Sequence, residues 1–328
     1  DVFEYGDGPR KKRKPTFADV LPRAETWLSK DAREPFFLFV HAYDPHCPYV
    51  PPDPFRDRFA GWYQGFLDPE GRCGRDEYGP MIAEGKLGPD ERRFLSDLYD
   101  GGVASADALL GAFLDQLRGK GLLERSIVIF TSDHGESLAE HGFVGHGKVW
   151  EEEIHVPLIV RFPGGEWAGR YDAPVQSVDL LPTLCAAMRL EIPEGVQGVN
   201  LLPLLQGDAG RVPAERMRLC KVRRKEAVRF DGRWKITFLA PKEAQGAPEQ
   251  PRIFDMQADP QEDNDLYGTP GGRAVFNRLY ARYQAWRAAS REEDQRLKAA
   301  PMTPETDAHD RAVLEELGYL GGEDGGGG

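Results

Sequence analysis

The sequence predicts an α/β fold, with a central sheet flanked by helices and a small C-terminal antiparallel sheet beside a further helix. Three observations predict it. Apolar runs at 36–42, 127–130 and 156–162 are typical of buried strands, and the first two end in polar loops. Apolar residues at helical spacing predict helices over 16–30 and 91–120. After residue 212 the segments become short and strand-like, which predicts antiparallel pairing.

Composition sets the class of protein. The chain has 328 residues, of which 40% are hydrophobic, and this is enough for a real core. A net charge of −12 argues against nucleic acid or an anionic membrane surface as the general partner. No apolar run approaches the ~20 residues that a membrane span needs. Nothing at the N-terminus resembles a signal peptide, although a chain that begins with Asp1 makes this weak information.

The first half of the chain is read element by element. The helix over 16–30 ends before Glu34-Pro35, because proline cannot continue it. Next come the run at 36–42, interpreted as a buried parallel strand, and a long loop over 51–90. The helix over 91–120 contains Gly101-Gly102, where a kink could occur.

The densest polar segment follows the strand that ends near Ser132. Asp133 and His134 stand side by side there, and Gly135 after them tolerates backbone angles that other residues avoid. Open α/β sheets bind ligands at this end of their strands. Asp, Ser and Gly after a strand often form only a turn. However, three histidines and one lysine within sixteen residues favour a site.

Three separated segments resemble one family. They are PFFLFVHAYDPHCPYVPP (35–52), SDHGESLAEHGFVGHGK with EEEIHVPLIVRFPG (132–164), and SVDLLPTLCAAMRL (177–190). In content, order and spacing they resemble the sulfatases of the alkaline-phosphatase-like superfamily. The resemblance implies an alkaline-phosphatase-like central sheet and a metal-dependent sulfuric ester hydrolase. Its substrate would be a sulfate ester on a small molecule or a glycan.

The resemblance also implies roles for individual residues. Asp133 and His134 would be metal ligands, and His46 and Lys148 would contact the sulfate oxygens, with one of them aiding departure of the leaving group. His146 is an additional candidate for that shell. Such groups are what a sulfate ester needs, because hydrolysis requires its negative charge to be neutralised. Without the resemblance, His46 could equally be a loop histidine bonded to backbone.

The metal is one divalent ion, and Ca²⁺ is the first expectation for a sulfatase. Many sulfatases have Asn where this chain has His134, however, and imidazole suits Mn²⁺ or Zn²⁺ better than Ca²⁺. Asp-His also occurs in phosphonate and phosphate-ester hydrolases of the superfamily. Metal identity and the choice between sulfur and phosphorus esters therefore stay open.

The nucleophile of the resembled family is formylglycine, made from Cys or Ser within Cys/Ser-x-Pro-x-Arg. None of the four cysteines stands in this motif, and no serine does. They are scattered too widely to indicate a zinc knuckle or a dense disulfide framework, as their positions show: Cys47, Cys73, Cys185 and Cys220. We therefore expect this chain to be the C-terminal portion of a sulfatase, with formylglycine upstream and little activity alone.

The C-terminal region is expected to form a separate subdomain. Strands are predicted at 219–222, 226–230, 233–239 and 253–256, with Asp231-Gly232 as a hairpin turn, and a helix at 272–298. The predicted division is 1–210 for the catalytic α/β portion, 211–300 for the subdomain and 301–328 for a largely disordered tail. Asp179, at a helix start, is interpreted as structural.

Other interpretations remain beside the sulfatase. One is a phosphonate- or phosphate-ester hydrolase or phosphotransferase of the same superfamily, and another is a non-catalytic chain that only binds a metal or a partner. A zinc site made of His134, His141 and His146 is weaker, since no HExxH spacing exists. The basic run 10–14 is read as a solvated loop. The family resemblance favours a periplasmic or secreted protein.

Overall fold

The computed structural model describes residues 14–68, 70, 74–208, 210, 212, 216–241 and 247–298. The predicted tail at 301–328 and Cys73 lie outside these ranges. The chain divides into two interleaved compact units. Unit 1 comprises 1–172, 219–227 and 233–265, and unit 2 comprises 173–218, 228–232 and 266–328.

Two predicted helices form the first packed pair of unit 1. Helix α1 spans Phe17–Lys30, and the much longer α4 spans Pro89–Gly119 and continues through the paired glycines. The start of α1 is capped, because Asp19 Oδ2 accepts hydrogen bonds from the backbone N and the Oγ1 of Thr16, each at 2.7 Å. Leu21, Ala24 and Phe113 form a buried cluster between the two helices.

The region predicted as a long loop contains two further helices. They are α2 at Phe55–Ala60 and α3 at Gly74–Ala83. The main core of unit 1 forms around this region and α4, and its fully buried side chains include Tyr78, Leu95 and Leu98. The loop prediction failed because the helices are short and rich in proline, glycine and charge, so their sequence has little apolar periodicity.

The central-sheet prediction is confirmed in part. β1 spans Val128–Thr131 and β4 spans Leu158–Arg161, but they pair antiparallel with each other, Val128 facing Arg161. The segment 36–42, predicted as a buried strand, is not part of a sheet in the described structure. Leu38 and Val40 pack on the cluster between α1 and α4, whereas Phe37 is 81% and Phe39 75% exposed. An apolar run indicates that burying its side chains would be favourable. It does not indicate which other residues would cover them.

The polar segment between β1 and β4 is folded back on itself. β2 at Ser137–Leu138 pairs with β3 at Val144–Gly145 in a short hairpin, and α5 at Glu151–Ile154 follows. The hairpin turn uses positive φ at Ala139, His141 and Gly142. Non-glycine residues rarely adopt this backbone, so the surrounding structure must hold the turn in place.

The small antiparallel sheet has the predicted strands. β5 (Arg218–Val222), β6 (Lys225–Phe230), β7 (Trp234–Leu239) and β8 (Glu249–Asp255) lie side by side in that order. Asp231 and Gly232 have φ of 52° and 66°, as a two-residue hairpin turn between β6 and β7 requires. The predicted turn is therefore confirmed.

A lysine of β7 forms a buried ion pair. Lys235 is 0% exposed, and its Nζ lies 2.9 Å from Glu262 Oε2 and 3.2 Å from Glu151 Oε1. Burial raises the pKa of the Glu262 carboxyl in spite of the neighbouring ammonium. The ammonium is the group that makes two buried carboxylates tolerable in this region.

In unit 2, α6 (Leu180–Ala187), α7 (Leu202–Leu205) and the long α8 (Pro270–Lys298) are the helices that the structure describes. Asp179 is fully buried and accepts two hydrogen bonds of 2.7 Å from the Arg216 guanidinium. It also accepts the backbone N–H groups of Gln176 and Val199. These four bonds fit the structural role predicted for Asp179. Within the described parts of the chain, no helix is long and apolar enough to cross a membrane.

Candidate active site

A single buried carboxylate holds the loop that follows β1. Glu153 is 3% exposed, and its carboxylate accepts the backbone N–H groups of Gly147 at 2.7 Å and Lys148 at 2.6 Å. The hydroxyl of Ser137 donates to the same carboxylate at 2.9 Å. The backbone that carries Lys148 is therefore fixed from inside the protein.

Gly135 is required here by close packing of the backbone. A Cβ at this position would lie 2.1 Å from the carbonyl oxygen of Glu152, while the Gly135 N–H donates to the carbonyl of Glu153 at 2.8 Å. The prediction that Gly135 supplies unusual backbone angles is wrong, since it is not among the residues with positive φ. Lack of a side chain is what lets the two backbone segments meet.

Asp133 and His134 place an oxygen and a nitrogen donor side by side. The His134 Nδ1 lies 2.8 Å from the carbonyl oxygen of Gly135, so this nitrogen carries the proton. The lone pair is then on Nε2, which lies 3.7 Å from Asp133 Oδ2. Both side chains are partly exposed, Asp133 at 52% and His134 at 37%. Both atoms could reach one cation with little movement.

Two further histidines lie against this pair. The His146 ring is 4.2 Å from the His134 ring and 5.1 Å from the His46 ring, centroid to centroid. Nδ1 of His146 lies 3.2 Å from Oε1 of Glu136, whose side chain is only 4% exposed. This bond raises the pKa of His146, against the effect of partial burial. Glu136 was not singled out from the sequence.

A lysine also contacts the cluster. Nζ of Lys14 lies 2.9 Å from Nε2 of His46, and Nδ1 of His46 lies 2.6 Å from the carbonyl of Cys47. The ring therefore donates through Nδ1 and accepts through Nε2. Burial lowers the pKa of His46, and the Lys14 charge adds to that effect. Burial also lowers the pKa of Lys14, while Glu136 and Asp133 oppose this change.

The donors of this cluster suit a divalent metal ion. One ligand atom from each of His46, Glu136 and His146 lies within 4.8 Å of the others, and the Asp133–His134 pair is adjacent through the His146 ring. A mixture of imidazole nitrogens and carboxylate oxygens fits Mn²⁺ or Zn²⁺ better than Ca²⁺, which prefers oxygen alone. The residues present therefore fit a metal of the softer kind.

Comparison with known proteins gives the family. The family model described as Sulfatase matches residues 10–190, which is more than half of the chain. The chain belongs to the sulfatase family. A second model, described as N-sulphoglucosamine sulphohydrolase, C-terminal, matches residues 139–289. The second match covers the small antiparallel sheet and most of α8, which confirms the predicted family and fold class.

Individual relatives are more distant. The Ulvan-active sulfatase of Formosa agariphila is 27% identical over 276 residues, covering 80% of this chain and 50% of that protein. The N-acetylglucosamine-6-O-sulfatase of Bacteroides thetaiotaomicron is 29% identical over 178 residues, covering 51% of this chain and 31% of that protein. The chain thus spans half or less of the length of these relatives.

A solved structure shows the same fold. The phosphonate monoester hydrolase of Silicibacter pomeroyi superposes with a TM-score of 0.62 at 23% identity, covering 81% of this chain and 59% of that one. At this identity the likeness is evidence for the fold alone.

The Lys148 ammonium lies over an aromatic ring. Its Nζ is 5.0 Å from the centroid of the Phe143 ring, and residues 141–144 line a cavity of about 530 Å³ together with Lys148. The ammonium is therefore held by an aromatic face and not by a carboxylate within the described residues. His141, the third histidine of the weaker zinc hypothesis, stacks on Trp150 at 4.0 Å and is not in the cluster.

The sulfatase-like segments thus bring together His46, Asp133, His134 and His146, and they add two residues that the sequence analysis missed. Glu136 follows His134 by two residues and was counted only among several acids. Lys14 ends a basic run that was read as a solvated loop, and the contact that reveals its role spans 32 residues. A local sequence pattern does not indicate a contact between residues that are 32 positions apart.

Proposed function

We propose that the protein to which this chain belongs is a metal-dependent sulfuric ester hydrolase. The observation that carries the proposal is the convergence of His46, Asp133, His134 and His146 on one partly buried cluster in a chain of the sulfatase family. The substrate is a sulfate ester on a small molecule or a sugar, in keeping with the N-acetylglucosamine-6-O-sulfatase among the relatives.

In this proposal Asp133 and His134 would hold a divalent ion with their carboxylate and imidazole groups. When bound, the ion draws charge from the sulfate oxygens and so makes the sulfur atom more open to attack. Gly135 keeps His134 in the required tautomer through its carbonyl oxygen. Glu136 does the corresponding work for His146, since its buried carboxylate fixes the imidazole and favours the protonated form.

His46 contacts the sulfate oxygens or the leaving oxygen. Its lowered pKa keeps Nε2 an acceptor near neutral pH, and the Lys14 ammonium bonded to it can pass on a proton or donate to an ester oxygen. Lys148 contributes positive charge, and its backbone is fixed by the Glu153 carboxylate. These residues bind and orient the ester and deliver a proton to the departing alcohol.

The nucleophile is assigned to sequence outside this chain, because the Cys/Ser-x-Pro-x-Arg motif does not occur in it. We expect the coding sequence before Asp1 to contain that motif together with an acidic pair. A threonine in the corresponding context would instead indicate a phosphorus-ester hydrolase.

That second function has one specific observation in its favour. His134 stands where many sulfatases have Asn, and the fold is shared with a phosphonate monoester hydrolase. The two functions use the same metal cluster, so they differ in which tetrahedral centre the nucleophile attacks. Only turnover measurements separate them.

The test uses the full-length protein with an aryl sulfate and an aryl phosphonate monoester as matched substrates. We expect the aryl sulfate to be hydrolysed with the higher kcat/KM, activity to be lost with EDTA, and activity to return more fully with Mn²⁺ or Zn²⁺ than with Ca²⁺. His134→Ala should lower kcat by about 100-fold or more, on the scale of losing one ligand or its orienting partner.

Matched variants separate metal binding from folding. Glu124 is exposed and pairs with Arg161 on the surface, so Glu124→Ala should leave turnover unchanged. Hydrolysis of the phosphonate alone would replace the sulfatase proposal by the second function. Absence of any ester hydrolysis, with metal bound stoichiometrically, would favour a non-catalytic chain.

A further inference from the structure

The loop that carries His146 and Lys148 has little rigidity of its own. Glycine stands on each side of the histidine, and both Gly145 and Gly147 have positive φ, at 107° and 108°. A Cβ at Gly147 would meet no atom within 4 Å, so glycine is needed there for its backbone angle and not for space. Two such residues give the backbone many alternative conformations, so contacts from outside the loop must select the observed one.

The peptide group between Gly147 and Lys148 is held at both of its ends. Its N–H, on Lys148, donates to Glu153 Oε2 at 2.6 Å. Its carbonyl oxygen, on Gly147, accepts a hydrogen bond from Nζ of Lys225. The carboxylate thus faces the positive end of the peptide dipole, and the ammonium faces the negative end. Because hydrogen bonds to charged groups are about twice as strong as those between neutral groups, these two side chains fix the orientation of the peptide.

Glu153 and Lys225, which together form a peptide clamp, come from different elements. Glu153 lies on the four-residue helix α5, and only 3% of it is exposed. Lys225 is the first residue of β6 in the small antiparallel sheet, 78 positions away from Gly147 in the sequence. Through Lys225, the small sheet is directly bonded to the loop of the candidate active site.

The small sheet also supports the helix that carries Glu153. The backbone N–H of Glu151, the first residue of α5, donates to Glu262 Oε2 at 2.7 Å. The same oxygen accepts a hydrogen bond of 2.9 Å from the buried Nζ of Lys235 on β7. Both sides of the peptide clamp therefore lead back to neighbouring strands of one sheet, to β6 through Lys225 and to β7 through Lys235.

We infer that Lys225 is a positioning residue for hydrolysis of the ester. It acts with Glu153 on the backbone, and the clamped peptide fixes the points from which the His146 and Lys148 side chains reach the substrate. In this role Lys225 does not touch the ester itself. The inference rests on the proposed sulfatase function and adds to it a role for the small sheet. A displacement of ~1 Å at a reacting group can lower the rate about 100-fold, so the orientation of one peptide affects kcat.

The test compares the full-length protein with its Lys225→Met variant, which keeps the length of the side chain and cannot donate a hydrogen bond. Lys225 is only partly buried, so we expect the variant to fold. With an aryl sulfate, kcat should fall about 10- to 100-fold and KM should change less than about threefold, because the groups that contact the ester remain and only their placement is altered. Lys225→Arg should recover most of the rate, since a guanidinium can also donate to the Gly147 carbonyl.

A matched control makes the same substitution at a surface lysine. Lys120 is exposed at the C-terminal end of α4, where its Nζ bonds to Ser29, so Lys120→Met should leave kcat and KM unchanged. A loss confined to KM in Lys225→Met would mean that Lys225 contacts the ester, and would overturn the positioning role. Equal kcat in Lys225→Met and the wild type would overturn it as well, while leaving the sulfatase function intact.

Amide hydrogen exchange measures the peptide clamp without turnover. We expect the backbone amides of Gly147 and Lys148 to exchange about 10-fold faster or more in Lys225→Met than in the wild type, and to be unaffected in Lys120→Met. Unchanged exchange together with a lower kcat would refute the clamp as the cause of the loss. If the full-length protein hydrolyses neither an aryl sulfate nor an aryl phosphonate, the proposed function fails. The exchange rates then decide alone: faster exchange in Lys225→Met supports the clamp, and unchanged exchange refutes it.

Discussion

The two larger sheets of this chain bury their apolar side chains to very different extents. In the C-terminal sheet, Ile236 and Ile253 are 0% exposed and Phe254 is 1% exposed. In the β1–β4 pair, Ile159 is 63% and Phe130 38% exposed, although both strands are as apolar in sequence. The C-terminal sheet completes its core within the residues described, and the first sheet does not.

The difference shows what an apolar strand does and does not encode. β7 and β8 meet partners that lie less than 30 residues away in sequence, so their burial is achieved locally. The extended segment with Phe37 and Phe39 presents the same kind of side chain to solvent. The aligned part of this chain covers 50% of one sulfatase relative and 31% of another, so much of those proteins has no counterpart in the alignment.

The largest expected effect concerns the ion pair beneath the closed sheet. Lys235→Met should destabilise the protein by ~3–5 kcal/mol, because it leaves the Glu151 and Glu262 carboxylates buried without their cation. Urea denaturation, followed by circular dichroism, measures the loss. Adding Glu262→Gln to Lys235→Met removes one of the two stranded charges and should recover part of it. A loss of unfolding free energy below ~1 kcal/mol in Lys235→Met alone would mean that water reaches the two carboxylates.

The next prediction compares equivalent truncations in the two sheets. Ile236→Ala should cost ~2–5 kcal/mol, since it opens a cavity in a filled core. Ile159→Ala should cost within ~0.5 kcal/mol in the chain as printed, because most of its side chain is already in water. The same denaturation experiment measures both. If the two costs are similar, Ile159 is covered in solution and the comparison fails.

The smallest effect depends on pH. The Arg233 guanidinium, bonded to Asp255 at 2.6 Å, holds the pKa of that carboxyl below its ordinary value. Because the folded pKa is the lower one, the stabilisation is full above the unfolded value of about 3.9 and is lost as pH falls through the folded value.

Asp255→Asn should therefore destabilise the β7–β8 pair at pH 7 and have a smaller effect near pH 3. The measurement is the difference in unfolding free energy between wild type and variant at the two pH values. High salt serves as a second reading, since it should reduce the difference at pH 7. A difference that does not change with pH would assign the effect to the hydrogen bond that the Gln257 backbone N–H donates to this side chain, and not to charge.

Much of the architecture was predictable because its signals are local. The apolar spacing of α1, the long apolar stripe of α4 and the Asp231-Gly232 turn all act within a few residues of themselves. His46, His134, His146 and Asp133 of the candidate active site could be predicted, because the family resemblance identifies them. Glu136 and Lys14 were missed, because their roles depend on contacts with His146 and His46 from other parts of the chain.

The pairing of β1 with β4 and the exposure of Phe37 and Phe39 could not be predicted for a different reason. Hydrophobic content states how favourable burial would be, and says nothing about which surface supplies it. Short strands such as β2 and β3, two residues each, carry too little pattern to be seen at all.

One covalent feature has a consequence for His46. Cys47 is joined in a disulfide and is 3% exposed, and its carbonyl oxygen is the group that fixes the proton on the neighbouring imidazole. A reducing agent would release this cross-link and loosen the carbonyl together with the ring that depends on it. The disulfide thus restrains the same residue whose carbonyl oxygen orients the His46 ring.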